Sequence, residues 1–462
     1  MERIRKFKDI KNNAWFVGGC LRDLFLKMQV KDVDVVVSGR AKMLAEKFAE
    51  INGGSFVVLD EVNRIYRIVL KDKTYDFSQI QGKNILEDLS RRDFTINSIA
   101  LPADSVLSKQ NIIDPFDGYG DLKNKVIRCV KEKNFKDDPL RVLRAFRFSG
   151  QLNFRIENNT KKSIKKYSGK LISVSPERIR NELILILDLI NSRDILYEAY
   201  KYGLLRDMLP ELVSTRNTAR CYYPGIGLLG HSFETVGRLE KFYSDCFIKM
   251  FPGYASEIKS HLEGDISGAI KRKSLLKFAA LLHDVGKPAS AKKIEGRLRF
   301  FAHEDIGSKI IADICRRLKF SNSETKYLQQ MTKHHMRLGN LTSAEKLTDK
   351  AAWRYFRDLG EDAIDLIVLS VADAYTYPRS ALRSKHKDMA NQLFKKLFCQ
   401  KKTIAPKKFL DGNEVMKILK IKPGPTVGEI LEKLEEAQVT KKVSDKTGAK
   451  EFIKHIYKNK IV

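Results

Sequence analysis

Cysteines are few in this sequence, and none is paired in a short motif. Six occur in 462 residues, and no two are separated by only two residues, so neither a zinc ribbon nor a C-x-x-C redox motif is indicated. Scattered thiols without a disulfide framework are typical of proteins in a reducing compartment. The cysteines are Cys20, Cys129, Cys221, Cys246, Cys315 and Cys399.

Long apolar stretches are also missing. No uninterrupted hydrophobic run approaches the ~18 residues that a membrane-spanning helix needs. The charged residues 1–8 are not followed by an apolar segment of the kind found in secretory signals. The sequence therefore predicts a cytoplasmic protein with no membrane partner.

Acidic residues are heavily outnumbered by basic ones. The chain has 57 Asp and Glu against 86 Lys and Arg, which gives a formal net charge of +29. A polyanion is the simplest partner for such a surface, and RNA or DNA leads the candidates. The alternative is a generally lysine-rich composition without a specific partner, because the basic residues are spread along the whole chain.

The chain is too long for one hydrophobic core, and its pattern changes near residue 131. Short β-branched and aromatic runs separated by glycine predict mixed α and β structure before that point, whereas helical periodicity dominates after it. The predicted fold class is α+β. Four regions are expected: a catalytic head at 1–130, a helical neck at 131–215, a histidine-bearing helical unit at 216–399 and a helical tail at 400–462.

Within the head, the strands and helices can be placed individually. Strands are predicted at Trp15–Val17, Asp34–Val37, Ser55–Leu59, Ile65–Leu70 and Thr74–Phe77, and helices at Arg22–Lys27 and Ala41–Ile51.

Asp32 and Asp34 are the first candidates for catalysis. Side chains two residues apart on a strand point to one face, so both carboxylates can bind the same cations. Mg²⁺ prefers carboxylate oxygens, and two such ions can activate a hydroxyl and stabilise a leaving pyrophosphate. Two aspartates with this spacing and no further motif around them are most often solvated surface residues. The Gly18-Gly19 turn upstream favours catalysis, because it would let the backbone approach a triphosphate.

The segment Gly18–Asp34 resembles the signature of class II tRNA nucleotidyltransferases and bacterial poly(A) polymerases, which have a polymerase-beta-like head. Further segments are similar to later motifs of that family in the same order: Arg91–Ala100, Asp114–Leu122, Asp137–Ala145 and Ser175–Ile179. The resemblance implies Mg²⁺-dependent transfer of nucleotides from CTP or ATP to the 3′ end of tRNA. It implies nucleotide binding by Gly18, Gly19, Arg22, Arg91, Arg92, Asp93, Asn97, Asp138, Arg141 and Arg144.

Asp138 and Arg141 are the candidates for nucleotide selection. Three residues apart on a predicted helix, they would share a face. A carboxylate can accept a hydrogen bond from the exocyclic amine of cytosine or adenine, while a guanidinium donates one to the adjacent ring nitrogen. Uracil and guanine present a carbonyl oxygen beside an N–H there, so the carboxylate would face an acceptor and the guanidinium a donor. The alternative is an ordinary surface salt bridge. The family is thought to select nucleotides with such side chains.

The segment between Asp76 and Arg91 is short. Asp76 is a candidate third carboxylate, or else a residue that merely ends a strand. Only 14 residues separate it from Arg91, whereas a CCA-adding member of the family would carry a longer, Arg-containing segment there. A shortened segment resembles CC-adding enzymes, which stop before the terminal A. The hypothesis is therefore CC addition.

Histidines in the second half form another candidate site. The segment Leu281–Pro288, with His283-Asp284, is similar to the HD phosphohydrolase domain. Imidazole and carboxylate ligands together suit Mn²⁺, Ni²⁺, Zn²⁺ or Fe²⁺, and the resemblance implies phosphatase or cyclic phosphodiesterase activity. The alternative is an idle inherited site in an RNA-binding scaffold. The expected ligands are His231, His283, Asp284 and Asp373, with His303 and His334 nearby.

Three other functions stay open at this point. A poly(A) polymerase of the same family would carry almost the same motifs. A phosphohydrolase with a nucleotide-sensing head would make the histidine site the main activity. A non-catalytic RNA-binding protein is disfavoured, because it has no need of paired carboxylates facing a polyanion. The oligomeric state is not predicted.

Overall fold

The structure is a computed structural model that describes residues 2–7, 9, 13–268, 270–344, 346–377, 380–404 and 406–461. Its contacts divide the chain into two compact units, residues 1–189 with 194–208 and residues 190–193 with 209–462. The finer boundaries near residues 131, 216 and 400 stay predictions. Among the described residues, none of the helices has both the length and the apolar character needed to cross a membrane.

The first unit is built on a six-stranded sheet. Its strands are β1 (Ala14–Val17), β2 (Asp32–Val37), β3 (Ser55–Asp60), β4 (Ile65–Val69), β5 (Thr74–Gln79) and β6 (Ala100–Pro102). The spatial order is β3-β4-β5-β2-β1-β6. β2 runs parallel to β5, and the other neighbours are antiparallel. The five predicted strands are all present.

The two faces of the sheet are chemically different because side chains alternate along each strand. Val33 and Val35 are buried and have Tyr75 and Phe77 as register partners on β5. The helix Ala41–Asn52 covers this face, and its Phe48 ring lies 5.0 Å from Tyr75. The intervening acidic residues of β2 are therefore on the other face.

Helices complete the first unit. The helix expected at Arg22–Lys27 begins earlier, at Gly19, because the chain reverses at Gly18 with a φ of 69°. Two short parallel strands, Val126–Ile127 and Arg155–Ile156, lie before and after the helix Leu140–Leu152, which carries Arg141. The α-helices are Glu2–Lys6, Gly19–Phe25, Ala41–Asn52, Ile85–Ser90, Gly118–Lys123, Lys133–Asp137, Leu140–Leu152, Asn158–Tyr167, Pro176–Asp188 and Leu204–Met208, and 3₁₀ turns lie at Thr95–Asn97 and Ser168–Ser173. The helix Ser192–Lys201 spans the division between the units.

Among its described residues, the second unit is helical apart from two antiparallel ribbons, Asp265–Ser267 with Ile270–Lys271 and Lys292–Ile294 with Arg297–Arg299. Residues 410–453 contribute a separate apolar core that includes Val415, Leu434 and Ile453. The α-helices are Pro210–Ser214, Gly227–Lys241, Phe247–Met250, Ala255–Glu263, Arg272–Leu282, Lys287–Ser290, His303–Arg317, Asn322–His334, Arg337–Leu341, Asp349–Leu359, Ala363–Ala374, Ser380–Phe394, Lys401–Ile404, Gly412–Leu419, Pro425–Val439 and Lys446–Ile461. Shorter 3₁₀ and π turns lie at Thr215–Asn217, Phe242–Cys246, Gly360–Asp362 and Lys395–Cys399.

Candidate active site

The carboxylates of Asp32 and Asp34 lie on the face of the sheet that the helix Ala41–Asn52 leaves open. Asp32 is exposed and accepts a hydrogen bond from the Thr74 hydroxyl. Asp34 is half-buried. Burial raises the pKa of Asp34 to about 6; Arg92 opposes the shift, and Asp76 and Asp32 add to it. The pair is therefore destabilised as two anions, which a divalent cation would relieve, so this donor set fits Mg²⁺.

Gly18 leaves room for the guanidinium group of Arg92 next to these carboxylates. With a φ of 69° and a ψ of −134°, it adopts a conformation that side chains rarely allow. A Cβ at this position would lie 2.9 Å from Arg92 Nη1 and 3.5 Å from Asp34 Oδ2. The N–H of Gly18 donates to the Ile99 carbonyl at 3.3 Å. Gly18 therefore supplies the turn and the clearance for Arg92, while its own N–H is already used.

Four of the residues expected to bind the nucleotide are hydrogen-bonded to one another. Arg22 Nη1 donates to Asn97 Oδ1 at 2.9 Å, and Asn97 Nδ2 donates to Asp93 Oδ1 at 3.0 Å. Arg144 donates to Asp93 Oδ2 from both Nε and Nη2, at 2.9 and 2.7 Å. Arg22, Asp93 and Asn97 are buried. In this structure these groups position one another, and direct contact with a nucleotide stays a prediction for them.

The pKa of Asp93 reports the strength of this network. Burial by itself would raise it, but Arg144 and the Asn97 amide lower it to about 2. The ring of Phe148, which the sequence did not single out, lies under the guanidinium carbons of Arg22, Arg144 and Arg147, at 5.1, 5.2 and 4.1 Å from its centroid. Cation–π attraction at this ring helps to hold three positive charges close together.

The arginines of the Arg91-Arg92 motif have different surroundings. Arg92 is half-buried and donates to Asp88 Oδ2 from Nε and Nη2, at 3.2 and 3.0 Å. Arg91 is exposed, and its carbonyl accepts a 2.7 Å hydrogen bond from Arg141 Nη1. Arg92 is thus the member of the pair that meets the carboxylates, and Arg91 is the one whose side chain is open to a ligand.

Asp138 and Arg141 are close, but not for the predicted reason. The helix begins at Leu140, so Asp138 precedes it in an extended conformation and shares no helical face with Arg141. Arg141 Nε lies 3.7 Å from Asp138 Oδ2, and Arg178 Nη2 donates to the same oxygen at 2.9 Å. Arg178 was not expected beside the predicted selection residues. It reaches them from the helix Pro176–Asp188, a neighbour that no local spacing reveals.

Asp76 is directly opposite Asp34 in the parallel register of β2 and β5. Arg67 on β4 donates to both of its carboxylate oxygens, at 2.8 and 2.7 Å. This bidentate pair neutralises Asp76. Asp76 therefore shares the face of the metal-binding candidates while having a cation of its own, and a third-ligand role stays open.

The predicted histidine and aspartate ligands of the second half do converge. His231, His283 and Asp373 present one ligand atom each within 4.8 Å of one another, and Asp284, His303 and His335 form a second such group. All are buried except Asp373, which is half-buried. Burial lowers the pKa of His231 and of His335. Neutral imidazoles beside carboxylates are a donor set that fits transition-metal ions.

His334 was the wrong histidine of its pair. It is half-buried and belongs to neither group, whereas His335 is 4% exposed and lies in the second one. His334 ends the helix Asn322–His334, and each further helical residue turns the side chain by about 100°. Adjacent histidines therefore point in different directions, and the sequence alone does not say which one faces the cluster.

Three family descriptions match parts of the chain. Residues 14–84 and 66–128 match the poly A polymerase head domain. Residues 153–215 match the probable RNA and SrmB binding site of polymerase A, and residues 298–452 match the putative tRNA nucleotidyltransferase domain 2. The matches include β1, β2 and β5, so they contain the carboxylate face described above.

Similar proteins extend along almost the whole chain. An A-adding tRNA nucleotidyltransferase of Deinococcus radiodurans is 29% identical over 95% of this chain and 94% of its own length. A CC-adding tRNA nucleotidyltransferase of Geobacter sulfurreducens is 28% identical over 95% and 91%. Among solved structures, an apo CCA-adding enzyme has a TM-score of 0.65 at 22% identity, covering 97% of this chain and 91% of its own. The Thermotoga maritima CCA-adding enzyme in complex with tRNA has 0.61 at 23%, with 98% and 94% covered. Along most of its length the chain is therefore similar to tRNA nucleotidyltransferases, and its first part to the poly A polymerase head domain.

Proposed function

We propose that the protein adds cytidylates, taken from CTP, to the 3′ end of tRNA. The observation that carries the proposal is the placement of Asp32 and Asp34 on one open sheet face, with Arg92 beside Asp34. The relatives that extend along the chain are named for tRNA nucleotidyl transfer. The net charge of +29 suits an RNA partner.

The chemistry follows from this arrangement. The tRNA 3′-hydroxyl oxygen forms a bond to the α-phosphorus of the nucleotide and releases its proton to solvent. The bond from the α-phosphorus to the bridging oxygen breaks, and pyrophosphate leaves with that oxygen. Asp32 and Asp34 would hold Mg²⁺, which would supply Lewis acidity at the hydroxyl and charge neutralisation at the phosphates when bound. Arg92 adds a fixed positive charge next to Asp34, where triphosphate charge accumulates. The Asp93–Arg144 network keeps the helix Leu140–Leu152 in place against the motif that carries Arg92.

Nucleotide choice would be made at Asp138 and Arg141. The carboxylate accepts from the amine of cytosine or adenine, and the guanidinium donates to the ring nitrogen. Arg178 donates to Asp138 Oδ2 at 2.9 Å and so fixes the direction of the carboxylate. Adenine offers the same amine and ring nitrogen as cytosine, so these two residues would accept ATP as well as CTP. A limit on A addition therefore has to come from another part of the protein.

The segment after β5 supports addition of C without A. It contains a turn and then the helix Ile85–Ser90, capped by Asn84, whose side chain accepts from the Glu87 N–H. Ile85 and Leu89 are buried in a cluster with Val36 of β2. A segment packed into the core in this way cannot swing to remodel the nucleotide site. We therefore infer that synthesis stops at CC.

One incubation tests both nucleotidyl transfer to tRNA and the stop after CC. The enzyme is given tRNA that lacks CCA, together with CTP and ATP, and the ends are sequenced. We expect CC ends, and no product from Asp32→Ala. Efficient A addition to tRNA ending in CC would refute the CC limit but not nucleotidyl transfer. Long A tails made without CTP would identify a poly(A) polymerase instead.

We also propose that the histidine cluster is a metal-dependent phosphohydrolase site of the HD type, occupied by Mn²⁺, Ni²⁺, Zn²⁺ or Fe²⁺. The convergence of His231, His283 and Asp373 supports it. The assay is hydrolysis of 2′,3′-cyclic phosphates by the wild type and by His283→Ala, with His334→Ala as the matched control. Equal activity in the wild type and His283→Ala would contradict the assignment.

We also infer a cytoplasmic location, since free thiols such as that of Cys221 are exposed and are typical of a reducing compartment.

A further inference from the structure

One of the two-stranded ribbons of the second unit carries a row of positive charges. Its strands, Lys292–Ile294 and Arg297–Arg299, are antiparallel and are joined by a two-residue turn in which both residues have a positive φ. Lys292 is directly opposite Arg299, and Ile294 is directly opposite Arg297. Because side chains alternate along a strand, these four residues share one face of the ribbon. Three of the four are cationic.

The cations of this ribbon lack a counter-charge. Lys292, Lys293, Arg297 and Arg299 are all exposed, and none of them forms an ion pair with another residue that the structure describes. Lys292 and Arg299 face each other across the two strands, and like charges in this position destabilise a ribbon. An anionic ligand on this face would offset the repulsion.

Exposed aromatic rings lie next to the same ribbon. Among the described residues, Phe301 is the most exposed phenylalanine, tyrosine or tryptophan, at 68%, and Tyr222 follows at 46%. Both line a cavity of about 640 Å³, together with Arg299. The Tyr222 hydroxyl donates to the Leu298 carbonyl at 2.6 Å, which holds the ribbon against the wall of this cavity. Charged residues on a strand edge also discourage pairing with other chains, but that role does not require exposed rings.

Cations beside exposed rings are the means by which proteins bind single-stranded nucleic acid. Basic side chains contact successive phosphates, while unpaired bases stack on the aromatic faces. In a duplex the bases are stacked on one another, so the rings would have no base to contact. An anionic membrane would attract the same cations. RNA is favoured over a membrane because the similar proteins along the chain are named for tRNA nucleotidyl transfer.

We propose that Lys292, Arg297 and Arg299 of the ribbon, with Phe301 and Tyr222, bind a single-stranded segment of RNA. The cations contact its phosphates, and Phe301 stacks on one of its bases. This surface belongs to the second unit and uses none of the residues assigned to nucleotidyl transfer. The inference goes beyond the proposed functions and does not depend on hydrolysis of a phosphate ester in the cavity.

A fluorescent reporter at position 301 tests the proposal locally. Phe301→Trp places an indole where the ring is already exposed, and stacking of a base on the indole quenches its fluorescence. The signal is the difference from the wild type, which has Trp15 and Trp353. We expect saturable quenching by a short oligoadenylate and none by a duplex of the same length. No quenching by the oligoadenylate would overturn the proposal.

The same reporter distinguishes RNA from other anions. AMP should quench far more weakly than the oligoadenylate, because it offers one phosphate instead of several. Equal affinity for AMP would make the surface the rim of a mononucleotide site. A response to phosphatidylserine vesicles but not to the oligoadenylate would identify a membrane partner. Either result would contradict binding of an RNA strand.

Removing ribbon cations should change the salt dependence of binding. For single strands, the logarithm of the affinity falls with the logarithm of the salt concentration by about 0.7 for each phosphate neutralised. Adding Lys292→Ser and Arg297→Ser to the reporter should therefore make the slope shallower by about 1.4. Lys417→Ser with Lys422→Ser removes the same charge from other exposed positions of the second unit and should leave the slope unchanged. Equal slopes in the two double variants would refute the contact with phosphates.

Photochemical cross-linking needs no substitution. A short oligouridylate that contains 4-thiouridine is irradiated with the full-length protein, and the cross-linked peptides are mapped by mass spectrometry. We expect cross-links at Phe301 or Tyr222, whereas cross-links confined to the first unit would refute the proposal. Cyclic phosphate hydrolysis is assayed separately. Its absence in a protein that cross-links at Phe301 would refute the phosphohydrolase function and leave this inference standing.

Discussion

Asp93→Asn is the sharpest test of the network behind the candidate active site. The carboxylate is buried and receives two hydrogen bonds from Arg144 and one from Asn97. Its pKa falls from the usual 3.8 to about 2. Since each pKa unit corresponds to about 1.36 kcal/mol, charged Asp93 stabilises the fold by about 2.5 kcal/mol at neutral pH. Removing the charge should therefore lower the free energy of unfolding by about 2–4 kcal/mol, because Arg144 loses its partner.

The pH dependence has a definite sign. A carboxyl group whose folded pKa is depressed contributes stability above its unfolded pKa, and this is lost as the pH falls through the folded value. The difference between wild type and Asp93→Asn should thus be full above about pH 5 and should shrink between about pH 4 and pH 2.

The assay is urea unfolding followed by tryptophan fluorescence. The chain has two tryptophans, so a Trp353→Phe background leaves Trp15 on β1 as the reporter of the first unit. Asp72→Asn is the control, because Asp72 forms an exposed pair with Arg3 and should not change the midpoint measurably. A loss below about 0.5 kcal/mol, or one independent of pH, would refute the reasoning.

Three further predictions concern the site itself. Gly18→Ala should cost about 1–3 kcal/mol of stability and should greatly reduce transfer, since the new Cβ would lie 2.9 Å from Arg92 Nη1; thermal unfolding and pyrophosphate release measure the two effects, and wild-type rates would contradict the clearance argument. Asp138→Ala should lower the preference for CTP over UTP by roughly tenfold or more, whereas unchanged selectivity in a competition assay would remove Asp138 from nucleotide choice. Chelation of divalent ions should abolish transfer, with recovery on adding Mg²⁺; persistent transfer would exclude the Asp32/Asp34 metal site.

Short-range patterns were enough for five of the six strands of the sheet; β6 was not predicted. The alternation of Asp and Val along residues 32–35 placed both carboxylates on one face, and β1 to β5 follow their β-branched and aromatic runs. The strand order, by contrast, puts Asp76 opposite Asp34 and gives it Arg67 as a partner. Nothing local encodes that pairing, because it depends on which strands become neighbours.

The sequence by itself determined the types of residue that carry the chemistry, since a carboxylate pair, a glycine turn and an adjacent His-Asp are written in consecutive residues. Tertiary structure decided how they are used. It moved Asp138 off the helix and gave it Arg178, made Asp93 the partner of Arg144, and placed His335 rather than His334 in the histidine cluster. The reason is geometric: the chain fixes the order of side chains, but the packing of distant helices fixes which of them meet.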